Sequence, residues 1–170
     1  NNGLWIHTAG SMPMNIFEGH AARYGVLYPL QTFSKGREVS FDAIPLFLEA
    51  NTQKDADYLK SIASALSENV RFMSSEKRRS LHLAAVFACN FTNHIYALSY
   101  KLLEEEGISA DVLLPLIDET AAKIHLMSPA AAQTGPAIRY DENVINKHLA
   151  MLNDPDMKSI YRLLSQSIHK

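Results

Sequence analysis

The hydrophobic positions of the chain follow two different patterns, and the change comes near residue 74. In the first part, short continuous apolar runs alternate with loops, at residues 4–7, 25–28, 45–50 and 70–73. Such runs are typical of strands that are covered on both faces. A helix capped by Asn51 or Thr52 fits between the third and fourth runs, and a shorter helix fits after Ser11. This order predicts an α/β sheet, or the later half of one.

From residue 75 onward the pattern is helical. A long helix is predicted from Ser75 to Glu106, and Gly107 is a favourable residue for ending it. Ser109 can cap the next helix, and two more helices are predicted over residues 141–152 and 156–168. The chain is therefore predicted to contain an α/β segment followed by an all-α segment.

The long helix carries polar side chains in a largely apolar setting. Residues 81–100 contain no Lys, Arg, Asp or Glu, but their His, Cys, Asn, Thr and Ser side chains disfavour a membrane span. At roughly 100° per residue, His82, Cys89 and Asn93 fall within about 40° of one another, with Asn90 to one side. This stripe is either hydrogen-bonded inside the core or faces a wet cleft. In a cleft, His82 could donate or accept a proton.

Three polar loops are candidates for a ligand site. Their polar or small residues are His7, Gly10, Ser11, Gln31, Thr32, Thr134, Gly135 and Arg139. The first two loops follow predicted strands, and ligands of open α/β sheets bind at the carboxyl ends of strands. The alternative to a ligand site is that the first two loops are ordinary turns. In the third loop, Arg139 could simply form a surface ion pair with Asp141, which would also cap the next helix. The sequence contains neither a GxGxxG motif nor a P-loop.

Composition narrows the classes of function. The chain has 170 residues, of which 47% are hydrophobic and 20% are charged, as in ordinary globular proteins. A net charge of −2 and a pI near 6.4 disfavour a nucleic-acid partner. One cysteine excludes a disulfide framework, and the scattered histidines have no zinc spacing, so no metal is expected. Without a signal-peptide pattern we expect a cytoplasmic protein with no membrane partner.

Taken in order, four stretches resemble one family. They are residues 7–11, residues 29–33, residues 82–90, and Thr134, Gly135 and Pro136 with Arg139, Asp141 and His148. The family consists of Rossmann-like proteins classed as NADP-dependent oxidoreductases, with a helical C-terminal domain of unknown function. The resemblance to Bacteroides-type members covers essentially the whole chain. The family is similar in plan to pyrroline-carboxylate and ketopantoate reductases and to 6-phosphogluconate dehydrogenase.

This resemblance implies two domains. Residues 1–74 would be the C-terminal portion of a Rossmann-like NADP-binding domain, and residues 75–170 an all-helical domain for dimerisation and substrate binding. The glycine-rich turn that holds the cofactor pyrophosphate would lie upstream, so the chain alone should bind NADP weakly. The expected activity of the intact homodimer is hydride transfer to or from a small carbonyl, imine or hydroxy acid. The alternative is a non-enzymatic dimerisation or regulatory module on a degenerate nucleotide-binding fold.

The resemblance also implies roles for individual residues. The residues expected to bind the cofactor, near its nicotinamide, are His7, Gly10 and Ser11. The expected catalytic residues are His82 as general acid, with Asn90 and Asn93 orienting the substrate. The residues expected in the substrate cleft are Gln31, Thr32, Thr134, Gly135 and Arg139. The chain departs from many members at three positions, with Tyr28 in place of His, Cys89 in place of Ser and Tyr140 in place of Gly.

Overall fold

A four-stranded mixed sheet forms the first part of the computed structural model, which describes residues 3–170. Its strands are β1 (Leu4–His7), β2 (Arg23–Pro29), β3 (Leu46–Ala50) and β4 (Val70–Phe72). They lie in the order β1-β2-β3-β4, with β1 parallel to β2, β2 antiparallel to β3 and β3 parallel to β4. Each predicted apolar run is therefore confirmed as a strand.

The central strands carry the core of this sheet. Leu46 and Leu48 of β3 are buried against Leu59 of helix α1 (Gln53–Ser64), which packs chiefly on β2 and β3. In the outer strands, Trp5 of β1 and Phe72 of β4 are 40% and 52% exposed. The expectation that all four runs are covered on both faces is thus wrong for β1 and β4, because the covering helix lies over the centre of the sheet.

Helix α1 begins at a buried carboxylate. The Thr52 hydroxyl accepts a hydrogen bond from the Asp55 backbone N–H at 3.2 Å, as an N-cap residue should. The Asp55 carboxylate accepts hydrogen bonds from the Arg23 Nε at 2.9 Å and from the Thr52 hydroxyl at 2.8 Å. These two bonds hold the pKa of Asp55 below its usual range. The start of α1 is therefore tied to β2.

The remaining elements are helical. They are α2 (Ser75–Ala85), a π-helical segment (Val86–Phe91), α3 (Thr92–Glu105), α4 (Leu114–Lys123), α5 (Pro129–Ala132), α6 (Glu142–Met151) and α7 (Pro155–His169). The first three run on without a break and end just before Gly107, whose φ of 67° is left-handed, so the predicted long helix is confirmed. Within residues 3–170, no helix is long and apolar enough to cross a membrane.

Two local predictions need correction, and one short helix was not predicted. The short helix predicted after Ser11 is a 3₁₀ helix, Met14–Phe17. Its four residues are a length typical of 3₁₀ helices. The Ser109 side chain makes no capping hydrogen bond, and the chain after it forms a 3₁₀ turn before α4. Helix α5 was not predicted, since it is a single turn between Ser128, which caps it, and Gln133.

Two units share the chain, and their boundary lies within α3. One unit ends at His94 and the other runs from Ile95 to Lys170. In the second unit, Lys101 Nζ and an Asp154 carboxylate oxygen are 3.1 Å apart, and Asp154 also caps α7. The predicted domain boundary after residue 74 stays a prediction.

Tyr140 has a backbone conformation that suits glycine. Its φ is 50°, in the left-handed region, and it is the only non-glycine residue with positive φ between residues 3 and 170. Its ring stacks on the His169 ring at a centroid distance of 4.3 Å. The substitution of Tyr for the glycine expected from the family resemblance therefore places a side chain on a strained backbone.

We expect the free energy of unfolding of Tyr140→Gly to exceed that of Tyr140→Ala by about 1 kcal/mol. Both variants lose the ring stack, so the difference isolates the backbone, where only glycine is unstrained. Urea denaturation of the two variants measures it. An alanine variant as stable as the glycine variant would contradict the strain.

Candidate functional site

The parallel pairing of β1 and β2 brings two strand ends to one edge of the sheet. His7, the last residue of β1, pairs with Val26 of β2, and β2 continues to Pro29. The loops at residues 8–11 and 30–33 leave the sheet from these ends. This is the edge where the sequence predicted a ligand site.

A cavity of about 710 Å³ lies at this edge. Its walls come from the two loops, the end of β2, helix α2 and the π-helical segment. The lining residues are Thr8, Gly10, Tyr28, Leu30, Gln31, Thr32, Phe33, Leu81, His82, Ala84, Ala85, Val86, Ala88, Cys89 and Asn90. None of these described lining residues is Lys, Arg, Asp or Glu, so the cavity is apolar with a few uncharged hydrogen-bonding groups.

Gly10, Tyr28 and His82 meet at the wall of the cavity. The Tyr28 hydroxyl and the His82 Nδ1 are 3.3 Å apart, and the two rings are nearly perpendicular, at 75°. A Cβ atom on Gly10 would lie 2.6 Å from the His82 Nδ1 and 2.9 Å from the Tyr28 Cζ. Gly10 therefore allows the loop to pass close to both rings, where any side chain would collide with them.

Burial affects the phenol of Tyr28. It raises the pKa of Tyr28 above its usual value, although the positive charge of Arg78 partly opposes this. The phenol therefore keeps its proton at neutral pH. The wall of the cavity therefore contains a protonated phenol within hydrogen-bond distance of the His82 imidazole.

Arg78 lies one turn before His82 in α2 and is almost completely buried, with 1% of its surface exposed. Its guanidinium donates to the Glu49 carboxylate at 2.6 Å and to the Met12 carbonyl at 2.6 Å. The Ser75 hydroxyl donates to the same carboxylate at 2.6 Å. Burial by itself raises the pKa of Glu49, but the hydrogen bonds from Ser75 and Arg78 outweigh it and hold that pKa below its usual range. An ionised Glu49 thus neutralises the buried guanidinium.

The side chain of His7 stabilises the loop at residues 8–11. Its Nδ1 accepts a hydrogen bond from the Ala9 backbone N–H at 3.2 Å. Burial, together with the nearby charge of Arg78, lowers the pKa of His7. The imidazole is therefore neutral at pH 7, and it is not among the residues that line the cavity.

Five of the predicted site residues come together in this cavity. They are Gly10, Gln31, Thr32, His82 and Asn90. His7 and Ser11 belong to the adjoining loop without lining it, and Asn93 is exposed. Thr134, Gly135 and Arg139 belong to the second unit. The roles assigned to all of these residues stay predictions.

The π-helical segment explains why Asn90 lines the cavity and Asn93 does not. Each residue in a π-helix turns less about the helix axis than a residue in an α-helix, because its hydrogen bonds reach one residue further. Over residues 86–91 this smaller rotation accumulates. It brings Asn90 towards the face of His82 and moves Asn93 off that face. Of the expected stripe, His82 and Cys89 line the cavity together with Asn90, while Asn93 is exposed.

The sequence reasoning missed two residues of this region. Tyr28 was noted only as a departure from the family, and Arg78 was not singled out. A signal for Arg78 was present, since it precedes Leu81 and His82 by three and four residues and so shares their helical face. A charged residue on a buried face needs a partner, but nothing in the sequence identifies Glu49 as that partner.

The lining residues suit a planar ring that carries an amide, such as nicotinamide. The alanine and leucine side chains offer an apolar surface for the ring, and Thr8, Gln31 and Asn90 offer hydrogen bonds to an amide or a hydroxyl. Phosphate groups need cations or helix N-termini, which this lining does not supply. In residues 3–170, no group of three or more His, Cys, Asp or Glu is placed to hold a metal ion.

We expect Gly10→Ala to lower the free energy of unfolding by about 1–3 kcal/mol, because the new methyl group must displace the His82 and Tyr28 rings. Gly3→Ala is the matched control, since a Cβ there meets no atom within 4 Å. Urea denaturation measures both. Equal stabilities for the two variants would show that the loop does not press against these rings.

Comparison with known proteins gives a family match that covers β3, β4 and most of the helical part. Residues 44–168 match the family described as a domain of unknown function, DUF2520. The crystal structure of a "putative NADP oxidoreductase" from Bacteroides fragilis has 62% sequence identity and a TM-score of 0.96, over 98% of this chain and 64% of that one. This chain thus spans less than two thirds of that protein's length. A search among curated proteins finds no match.

A second crystal structure supports the fold alone. A Thermotoga maritima protein has 24% sequence identity and a TM-score of 0.79, over 100% of this chain and 71% of that one. The expected fold class, the α/β tail of a Rossmann-like domain followed by helices, is confirmed. So is the family resemblance found in the sequence, and the chain therefore belongs to the DUF2520 family.

Proposed function

We propose that this chain is part of an NADP(H)-dependent oxidoreductase. Its reaction would be hydride transfer to or from a small carbonyl, imine or hydroxy acid. The observation that carries the proposal is the position of His82, which lines an apolar cavity at the carboxyl ends of β1 and β2. The 62% identity to the Bacteroides fragilis protein described as a "putative NADP oxidoreductase" adds support for the cofactor.

The described residues would contribute binding, orientation and a proton. NADP(H) supplies the hydride chemistry when bound. Leu81, Ala85 and the other apolar lining residues would keep water from the reacting groups, while Asn90 and Gln31 would orient a polar substrate atom. His82 would give a proton to that atom, or take one from it in the reverse direction. The cofactor-facing role of the loop at residues 7–11 is part of this proposal.

The second candidate is a non-enzymatic module for dimerisation or regulation. Both candidates would form a homodimer, but for the module the interaction surface is itself the function. The observation that supports this candidate is the number of large apolar side chains exposed in residues 75–170. Leu83, Phe87 and Phe91 are 60%, 63% and 51% exposed, and Leu126 and Met151 are 84% and 76% exposed. The rings of Phe87 and Phe91 form a T-shaped pair with centroids 5.0 Å apart. In each of the two units separately, exposed apolar groups of this size are typical of interaction surfaces.

Titration of NADPH into the full-length protein separates the two candidates. The oxidoreductase requires saturable binding, followed by oxidation of NADPH with a member of a carbonyl and imine panel. The 170-residue chain alone should bind weakly, because it has no GxGxxG turn and no cation lines the cavity. A full-length protein without NADPH affinity would overturn the oxidoreductase and favour the module.

We expect His82→Gln to lower the turnover of the full-length protein by on the order of 10²-fold or more, with little change in stability. Glutamine keeps a polar group at the cavity wall but cannot exchange a proton near neutral pH. His94→Gln is the control, because His94 is exposed on the same long helix. A His82 variant with near-normal turnover, destabilised by about 1–3 kcal/mol, would assign His82 a structural role instead.

We expect light scattering at micromolar concentration to give a dimer, and Phe87→Glu to give a monomer, since a carboxylate cannot be buried without a partner. Tyr58→Glu on α1 is the control, because Tyr58 is 53% exposed but lies outside residues 75–170. A wild-type monomer, or dissociation by both variants alike, would contradict an interface formed by the helical part.

A further inference from the structure

Several contacts hold the Tyr28 ring beside His82. Tyr28 is the penultimate residue of β2 and is buried, with 8% of its surface exposed. Its ring packs 6.4 Å from that of Phe47 on β3. On its other side it touches the backbone of Gly10, where a Cβ atom would come within 2.9 Å. The phenol therefore has little freedom, and its hydroxyl is directed at the His82 Nδ1 at 3.3 Å.

The direction of this hydrogen bond follows from the available partners. Across the described chain, the Tyr28 hydroxyl has His82 as its one hydrogen-bond partner. If Nδ1 donated to the phenol oxygen, the phenolic proton would have no acceptor among the described residues, and an unmade hydrogen bond is costly. If the phenol donates, its proton is satisfied and Nδ1 acts as the acceptor. Burial raises the pKa of Tyr28, so the phenol keeps a proton that it can donate.

A neutral imidazole that accepts at Nδ1 must carry its proton on Nε2. The tautomer of a histidine is set in this way by the hydrogen bond that its other nitrogen makes. Among the described residues, Tyr28 is the hydrogen-bond partner of the His82 Nδ1, so it is the residue in a position to select the tautomer.

We propose that Tyr28 is a positioning residue that fixes His82 in the Nε2–H tautomer and leaves that N–H as the donor available at the cavity. The inference rests on the proposed function in one respect: a fixed tautomer matters for catalysis only if His82 exchanges a proton with a substrate. The tautomer itself is a property of the protein alone and can be measured without any ligand.

The test is long-range ¹H–¹⁵N NMR of the purified protein labelled with ¹⁵N in histidine, at a pH where the imidazole is neutral. The His82 signals are assigned as those missing from His82→Gln. We expect the Nε2–H form to predominate in the wild-type protein. In Tyr28→Phe, which keeps the ring but removes the hydroxyl, we expect the ratio of the two tautomers to shift by roughly 2- to 10-fold towards Nδ1–H, as the loss of one hydrogen bond implies.

Tyr24→Phe is the matched control, since it removes a phenolic oxygen from the same strand but Tyr24 is not among the cavity residues. It should leave the His82 tautomer ratio unchanged. A wild-type His82 found mainly as Nδ1–H, or a Tyr28→Phe ratio equal to that of wild type, would overturn the proposal. The wild-type spectrum decides the first point even if Tyr28→Phe folds poorly.

Turnover distinguishes this inference from the function on which it rests. With a substrate found in the NADPH panel, Tyr28→Phe should lower kcat with little change in KM, and Tyr24→Phe should change neither. If NADPH does not bind while the tautomer shifts as expected, the oxidoreductase fails and the role of Tyr28 in fixing His82 stands. If NADPH binds and the tautomer does not respond, the role of Tyr28 fails alone.

Discussion

The guanidinium of Arg78 is buried, and its charge is neutralised by a carboxylate on β3. The loop after β1 and the start of α2 accept its other hydrogen bonds. A charge removed from water costs several kcal/mol unless it is paired, and removal of one partner from such a pair costs about 3–5 kcal/mol. Glu49 of β3 provides the carboxylate, and the Met12 carbonyl and the Ser75 hydroxyl accept further hydrogen bonds from the guanidinium. The Arg78 Nε has no hydrogen-bond partner among the described residues. Helix α2 therefore begins at a fixed point on the sheet, and the position of His82, one turn after Arg78, follows from it.

The loop after β1 is held by contacts at several points. His7 fixes the Ala9 backbone, Arg78 binds the Met12 carbonyl, and the Ser75 hydroxyl accepts from the Met14 N–H at 2.8 Å. Between these points the backbone of Gly10 lies against the His82 ring. A wall that is fixed before any ligand arrives suits chemistry in which a proton donor must be oriented, because little reorganisation is then needed.

The π-helical segment lies where the long helix lines the cavity. Such segments are uncommon, and they are frequently found at functional sites. Here the Thr92 hydroxyl donates to the Phe87 carbonyl at 3.0 Å, a bond that spans the segment. The segment presents Cys89 and Asn90 to the cavity while Phe87 and Phe91 remain exposed. One stretch of helix thus joins the proposed catalytic face to the proposed dimer surface.

The sequence by itself determined the features that depend on neighbouring residues. Apolar runs identified the strands, Asn51 or Thr52 was expected to cap α1, and Gly107 identified the end of the long helix, because periodicity and capping are local. The loops at residues 7–11 and 29–33 were also found, since they follow strands. Their common edge was expected from the general rule for α/β sheets, and the parallel pairing of β1 and β2 provides it.

Only the tertiary structure decided which of these residues meet. Tyr28 and His82 are 54 residues apart in the chain, and Glu49 and Arg78 are 29 apart. The antiparallel pairing of β2 with β3 and the π-helical turn that exchanges Asn93 for Asn90 were likewise invisible in the sequence pattern. Hydrogen bonds and ion pairs between distant residues depend on how the elements pack, and a helix changes its pitch in response to that packing, so neither is encoded in local periodicity.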